Sequence, residues 1–182
     1  MKIVGIIPAR LQSTRLPRKL LLNVTGKPLL QYVWETACEC PDLHDVVVAT
    51  DSEEIAEAVH RFGGRAEMTG DHNSGTDRIA EVTRRCFSDA DAIVNLQGDE
   101  PELEPSVVAA LVREIRTSGC QMATVAAPIT SPDVVRDPSC VKVVMDVNGR
   151  AMYFSRSPIP FSRDIAIEDH FRDDEPSPWL LH

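Results

Sequence analysis

A chain of 182 residues, 43% hydrophobic and 26% charged, has the make-up of a soluble globular protein with one well-buried domain. Its formal net charge of -9 argues against nucleic acid as a main partner, and its apolar runs are too short to span a bilayer. The acidic total contains one exception: the first 34 residues carry six bases (Lys2, Arg10, Arg15, Arg18, Lys19 and Lys27) and no acid. Such an island of positive charge suits a polyanionic small molecule.

The run Ile3-Val-Gly-Ile-Ile7 reads as a first strand. It feeds the basic loop Pro8–Lys19 at its carboxyl end, where ligands sit in open α/β sheets. Helical spacing follows over Pro28–Cys38, with proline tolerated in a first turn. Asp45–Thr50 is a β-branched strand. Asp51-Ser-Glu-Glu54 then opens a helix up to Phe62, its carboxylates suiting the positive helix end, and Gly63-Gly64 closes it. Arg65–Thr69 is a short third strand. The polar loop Gly70–Thr76 enters a helix over Asp77–Cys86, and Ala92–Leu96 is a buried strand stopping at Gln97-Gly-Asp-Glu-Pro101. A helix over Pro105–Ser118 and a strand at Met122–Ala127 follow. Val141–Asp146 and Ala151–Phe154 then form a hairpin turned at Asn148-Gly149. From Pro158 onward, prolines and mixed charges suggest a long loop or extended arm. The apolar group Trp179-Leu-Leu-His182 reads as the opening of a further strand, cut short.

This alternation predicts a three-layer α/β/α architecture on a mainly parallel sheet, a single domain over 1–182 with 158–182 as the arm. The cysteines, Cys38, Cys40, Cys86, Cys120 and Cys140, are odd in number and lack zinc-ligand spacing, which fits reduced thiols in a cytoplasmic protein. Met1-Lys2 leads straight into a strand, with no signal-peptide core.

Neither common phosphate fingerprint is present: no Gly-x-x-x-x-Gly-Lys-Ser/Thr loop, and no Gly-x-Gly-x-x-Gly after the first strand. Phosphates would therefore be held chiefly by side chains. Arg10, Ser13, Arg15 and Lys19 supply guanidinium forks, a hydroxyl and a compact ammonium. Solvated surface charge is the plain alternative, but the strand-end position and the absence of acids favour binding. Asp99 either caps an ordinary turn or holds a hard divalent cation against phosphate oxygens, and the basic loop tips the balance to the cation. In His72-Asn-Ser-Gly-Thr-Asp-Arg78, Ser74 or Thr76 caps the helix. The loop's small polar residues also suit a pocket for a base edge, whereas His72 alone rates as structural. Tyr153-Phe-Ser-Arg156 offers a surface arginine or a clamp for a carboxylate, with the surface reading slightly ahead.

Several pieces occur in one order over nearly the whole chain: Ile6-Ile-Pro-Ala-Arg10 with Ser13-Thr-Arg-Leu-Pro17 and Lys19, Val48-Ala-Thr-Asp51, His72-x-Ser-Gly-Thr-Asp-Arg78, Val94-Asn-x-Gln-Gly-Asp-Glu-Pro101, Val141-Lys-Val-Val144 and Tyr153-Phe-Ser-Arg156. Together they resemble the 3-deoxy-manno-octulosonate (Kdo) cytidylyltransferases, or CMP-Kdo synthetases. The resemblance implies a nucleotide-diphospho-sugar transferase (Rossmann-like) fold, CTP and Kdo as substrates, CMP-Kdo and diphosphate as products, and Mg2+ as cofactor. It further implies a homodimer in full-length members and a place in lipopolysaccharide or capsule precursor synthesis. By the same resemblance, Ala9, Arg10, Ser13, Arg15 and Lys19 bind the nucleotide through its triphosphate, while Ser74, Gly75 and Arg78 border the cytidine. Asp99 would bind the metal, Gln97, Arg156 and His182 would contact the sugar acid, and Lys19, Arg15 and Asp99 form the catalytic set. Family members continue past His182, through further sugar contacts, much of the dimer interface and a second metal-binding aspartate.

The implied reaction is in-line attack of the anomeric hydroxyl of Kdo on the α-phosphorus of CTP. It needs no protein nucleophile, only positioning and charge neutralisation. The competing expectations are a truncated, inactive fragment that binds CTP, or a cytidylyltransferase for a related sugar acid. The Gly-Gly-Ser-Lys type loop usual in sialic acid cytidylyltransferases is missing here, and nothing in the sequence excludes an amino-substituted Kdo.

Overall fold

Seven residues, Ile3–Ala9, form the strand on which the first part of the chain is built (β1). All but Pro8 are buried, because a central parallel strand is covered on both faces and tolerates no polar alternation. The computed structural model describes residues 1–11, 16–171 and 177–182. The chain divides into two compact units, Met1–Gln121 and Met122–His182. Where the sequence predicts a single domain over 1–182, the second unit has a sheet and a core of its own.

In the first unit, β1 pairs in parallel with β2 (Asp45–Thr50), which pairs in parallel with β3 (Arg65–Met68). On its other side β1 pairs in parallel with β4 (Ala92–Asn95), so the order is β3-β2-β1-β4. Four helices cover this sheet: α1 (Leu29–Cys38), α2 (Glu53–Arg61), α3 (Gly75–Cys86) and α4 (Pro105–Ser118). Ile3, Ile7 and Ala9 pack with Leu30, Val33, Ile55, Val59, Val108 and Val112 of α1, α2 and α4. Val4 and Ile6 point the other way, to Ile79 and Val82 of α3. The alternation along β1 thus builds the expected three α/β/α layers.

Helix ends follow the sequence punctuation. Ser52 Oγ accepts the N–H of Ile55, and Gly63, at φ +85, ends α2 in the left-handed conformation glycine adopts freely. Ser74, not Thr76, caps α3: its Oγ accepts the N–H of Asp77 at 3.1 Å. The helix therefore starts at Gly75, two residues before the expected Asp77.

The second unit is antiparallel, in the order β5-β8-β6-β7: β5 (Ala127–Pro128), β6 (Lys142–Met145), β7 (Ala151–Ser155) and β8 (Leu180–Leu181). A short helix, α5 (Pro132–Arg136), was not anticipated. The hairpin forms as expected. Asp146 Oδ1 accepts the N–H groups of Asn148 and Arg150, and Gly149 sits at φ +77. The strand expected over Met122–Ala127 shrinks to its last residue plus Pro128. Met122 and Val125 are exposed, so no sheet face asks for them. The tail is more than an arm. Trp179 is fully buried with Ile129 and Val135, and β8 lies between β5 and β6. The apolar group at 179–181 buries itself as a central strand and core, which outweighs the proline-rich approach to it.

Candidate functional site

The strand order places the site. The chain steps outward from β1 to β2 to β3, then returns across the sheet to lay β4 against the free side of β1. Strand direction of build-up reverses there, and the crevice beyond the carboxyl ends of β1 and β4 is where α/β sheets bind ligands. A cleft of about 320 Å³ opens at that point. Pro8, Ala9 and Arg10 line it from the end of β1, and Lys19 and Leu20 from the short 3-10 turn Lys19–Leu21. The start of α3 adds His72, Ser74, Gly75 and Arg78, and the segment after β4 adds Gln97, Gly98 and Asp99. Ser13 and Arg15 lie outside the described residues.

Lys19 and Asp99, 80 residues apart in sequence, meet here: Lys19 Nζ donates to Asp99 Oδ2 at 2.7 Å. Both side chains are partly exposed, so the pair adds little stability. Its consequence is placement, since it holds an ammonium and a carboxylate side by side at the cleft mouth. Close backbone approach brings the other groups in. A Cβ on Gly75 would lie 3.2 Å from Pro8 Cγ, so the first turn of α3 abuts the end of β1. A Cβ on Gly98 would lie 3.3 Å from Ile7 Cγ2 and 3.4 Å from Leu30 Cδ1, which is why the chain leaves β4 so tightly over the core.

Arg78 is buried, and its Nη2 donates to Asp51 Oδ2 at 2.6 Å while Nη1 donates to Thr69 Oγ1. The guanidinium is tied to the ends of β2 and β3 and forms a fixed wall of the cleft, a structural task the sequence did not assign it. His72 is held as well: its Nε2 lies 2.6 Å from Glu81 Oε2, which also accepts the N–H of Gly70 at 3.0 Å. The His72 bond, then that of Gly70, keeps the Glu81 carboxyl below the usual glutamate range. His72 is thus structural, as expected, and also lines the cleft. Gln97 Nε2 donates to Asn95 Oδ1 at 3.1 Å. Burial, reinforced by the neighbouring Asp99 charge, raises the pKa of Glu100.

The basic island is more dispersed than its sequence density implied. Lys2 pairs with Asp89, Arg18 with Glu54 and Lys27 with Glu35. Among the described bases of that segment, Arg10 and Lys19 line the cleft. Glu54 and Asp89 come from distant sequence, where a local charge count cannot see them, whereas Glu35 lies one residue past the basic segment.

Arg156 and His182 stand on the second unit. Arg156 Nη1 donates to Pro138 O at 2.6 Å. His182 Nε2 lies 2.9 Å from Thr124 Oγ1, and its ring meets Phe154 edge-on at 4.7 Å. Sequence reasoning missed Lys142, whose side chain is fully buried and donates to three carbonyls. A lysine inside the β-branched run Val141–Val144 was the available signal.

Among the described residues no group of three or more His, Cys, Asp or Glu side chains could hold a metal ion. A single carboxylate still fits magnesium, which keeps waters and takes most other ligands from substrate phosphates. No described residue bonds to Asp99 Oδ1, which leaves that oxygen available.

The cytidylyltransferase family profile matches residues 4–176. A solved CMP:2-keto-3-deoxy-manno-octonic acid synthetase complexed with CTP superimposes with a TM-score of 0.88 at 42% identity, covering 100% of this chain and 71% of that one. The chain belongs to the 3-deoxy-manno-octulosonate cytidylyltransferase family. A member of that name from Syntrophobacter fumaroxidans is 48% identical over 92% of this chain and 68% of its own length. 3-Deoxy-manno-octulosonate cytidylyltransferase 2 of Actinobacillus pleuropneumoniae serotype 5b is 49% identical over 90% of this chain and 66% of its own length. The chain thus spans about two thirds of the length of the 3-deoxy-manno-octulosonate cytidylyltransferases it matches. No helix among the described residues is long and apolar enough to cross a membrane.

Proposed function

We propose that the protein transfers CMP from CTP to the anomeric hydroxyl of Kdo, releasing diphosphate. The observation that carries this reading is the Lys19–Asp99 pair inside a cleft at the β1/β4 crevice of a cytidylyltransferase fold. Arg10 and Lys19, with Ser13 and Arg15 from the same loop, hold the triphosphate, and the backbone at Ala9 borders it. Ser74, Gly75 and the fixed Arg78 enclose the cytidine. Asp99 holds magnesium, which when bound polarises phosphate oxygens and offsets charge on the leaving group. Gln97, Arg156 and His182 contact the acidic sugar. Attack forms the bond from sugar oxygen to α-phosphorus and breaks the bond from α-phosphorus to the bridging oxygen that leaves with diphosphate, the hydroxyl proton passes to solvent, and Lys19 and the arginines neutralise charge on the departing diphosphate. The protein acts in the cytoplasm, supplying activated Kdo for lipopolysaccharide, and full-length members of the family act as homodimers. The names of the relatives and the CTP-bound relative support CTP and Kdo as the substrates in this reading.

Diphosphate release in the presence of CTP, Kdo and magnesium tests it. Release should require all three, and Lys19→Ala or Asp99→Ala should lower turnover by about 10²–10³-fold while leaving the fold intact. Absence of release, or losses of only a fewfold in both variants, would overturn the proposal. Competition with sialic acid and amino-substituted Kdo reads out the preferred sugar.

A further inference from the structure

Lys142 has an unusual position for a charged residue: its side chain is 0% exposed, in the middle of the second unit's sheet. Burying an ammonium is costly unless its donors are satisfied, and a methionine would fill similar space without that cost. What only the ammonium does is gather oxygen atoms. Its Nζ donates to Cys140 O at 2.6 Å, Arg156 O at 2.8 Å and Asp137 O at 2.9 Å. Three donors meet three carbonyls, so the group is fully used.

Those carbonyls are not scattered. β6 lies between β7 and β8, and Lys142 is paired across to Ser155 on one side and Leu181 on the other. Ser155 immediately precedes Arg156, and Leu181 immediately precedes His182. The N–H of His182 donates to Val141 O at 2.9 Å, one residue from Lys142. The Arg156 guanidinium leans on Pro138 O, within the 137–140 segment whose ends the ammonium grips. One buried cation therefore sets the Arg156 backbone, the surface on which the Arg156 side chain rests, and the strand register that carries His182.

We infer that Lys142 is a positioning residue for recognition of the acidic sugar: it acts through Arg156 and His182 and touches no substrate itself. This rests on the sugar-contact role proposed above for those two residues. Gathering the carbonyls limits where a bidentate guanidinium stands, and small displacements of such groups are expensive in binding and rate.

Steady-state kinetics of the full chain, with CTP and Kdo varied in turn, test the inference in wild type, Lys142→Met and Lys142→Arg. Lys142→Met should raise KM for Kdo about tenfold or more while KM for CTP stays within about twofold. Lys142→Arg keeps a charged donor and should recover part of that loss. An unchanged KM for Kdo, or parallel changes for both substrates, overturns the inference. If Lys142→Met does not fold, Lys142→Arg decides, with a rise of about threefold expected for Kdo alone. Amide hydrogen exchange supplies a readout independent of turnover. Lys142→Met should speed exchange across 139–140 and at Arg156 and His182, with Ile129 and Val135 unaffected; uniform loosening, or no change, contradicts the inference. If the exchange result is as expected but wild type releases no diphosphate, the proposed function fails and the anchoring role of Lys142 stands.

Discussion

Removing the Asp51 carboxylate strands a guanidinium inside the first unit. The Arg78 side chain is 3% exposed and that of Asp51 is 29% exposed, so the positive member of the pair is the one water cannot reach. Orphaning one member of a fully buried pair costs about 3–5 kcal/mol. Here water gains some access through the Asp51 side and Thr69 still accepts from Nη1, so about 2–3 kcal/mol is expected for Asp51→Ala. Arg78→Met does the reverse: it deletes the buried charge and leaves a carboxylate that water can hydrate, at a cost of about 1 kcal/mol from lost hydrogen bonds. The double variant should therefore be more stable than Asp51→Ala alone, by about 1 kcal/mol. Trp34, 5.1 Å from Phe62 between ring centres, gives the first unit a fluorescence probe for urea unfolding. With a slope of about 1–2 kcal/mol per molar urea, Asp51→Ala should lower the midpoint by about 1–3 M. A drop below about 0.3 M, or a larger loss for Arg78→Met than for Asp51→Ala, would refute the reasoning.

Gly98→Ala must push Ile7 and Leu30 aside by a few tenths of an ångström, so it should cost about 1 kcal/mol in thermal unfolding and lower turnover by displacing Asp99; an unchanged melting temperature and rate would contradict the tight-turn account. Ser74→Ala should cost about 1 kcal/mol by removing the α3 cap, and Ser74→Gly only a few tenths. Equal losses in the two variants would argue against capping as the cause. Glu81 is held below the usual glutamate range when folded, so its contribution is present above its unfolded pKa of about 4.3 and fades as pH falls through the lower folded value. The stability gap between wild type and Glu81→Gln, measured by urea midpoints at successive pH values, should shrink on acidification below about pH 4.3. A gap that stays constant or widens would show that the His72 and Gly70 bonds do not stabilise the ionised form.

The first unit was largely legible because its signals are local. β1 reads as buried from its unbroken apolar run, Ser52 and Ser74 announce helix starts, and Gly63 marks a helix end with positive φ. The cleft was legible for a similar reason: strand ends can be located from sequence, and ligand crevices follow strand ends. Long-range pairing was not. The basic run gives no sign that Glu54 answers Arg18, Asp89 answers Lys2 and Asp99 meets Lys19 in the cleft. Arg78 carries no sequence mark of burial, since its partners Asp51 and Thr69 sit on other elements. The separate second unit escaped notice because β8 closes its sheet from the far end of the chain, so the weak 122–127 segment had no visible partner.

The central claim is that cations from the β1 loop and the Asp99 carboxylate together grip a nucleoside triphosphate with its metal. Calorimetric titration of CTP, with and without magnesium, into wild type, Lys19→Met and Asp99→Asn measures this directly. The account expects wild type to bind CTP more tightly with magnesium, Lys19→Met to bind it more weakly under both conditions, and Asp99→Asn to lose the magnesium effect. A wild type that takes up no CTP, or variants whose CTP affinity and magnesium response match wild type, would contradict it.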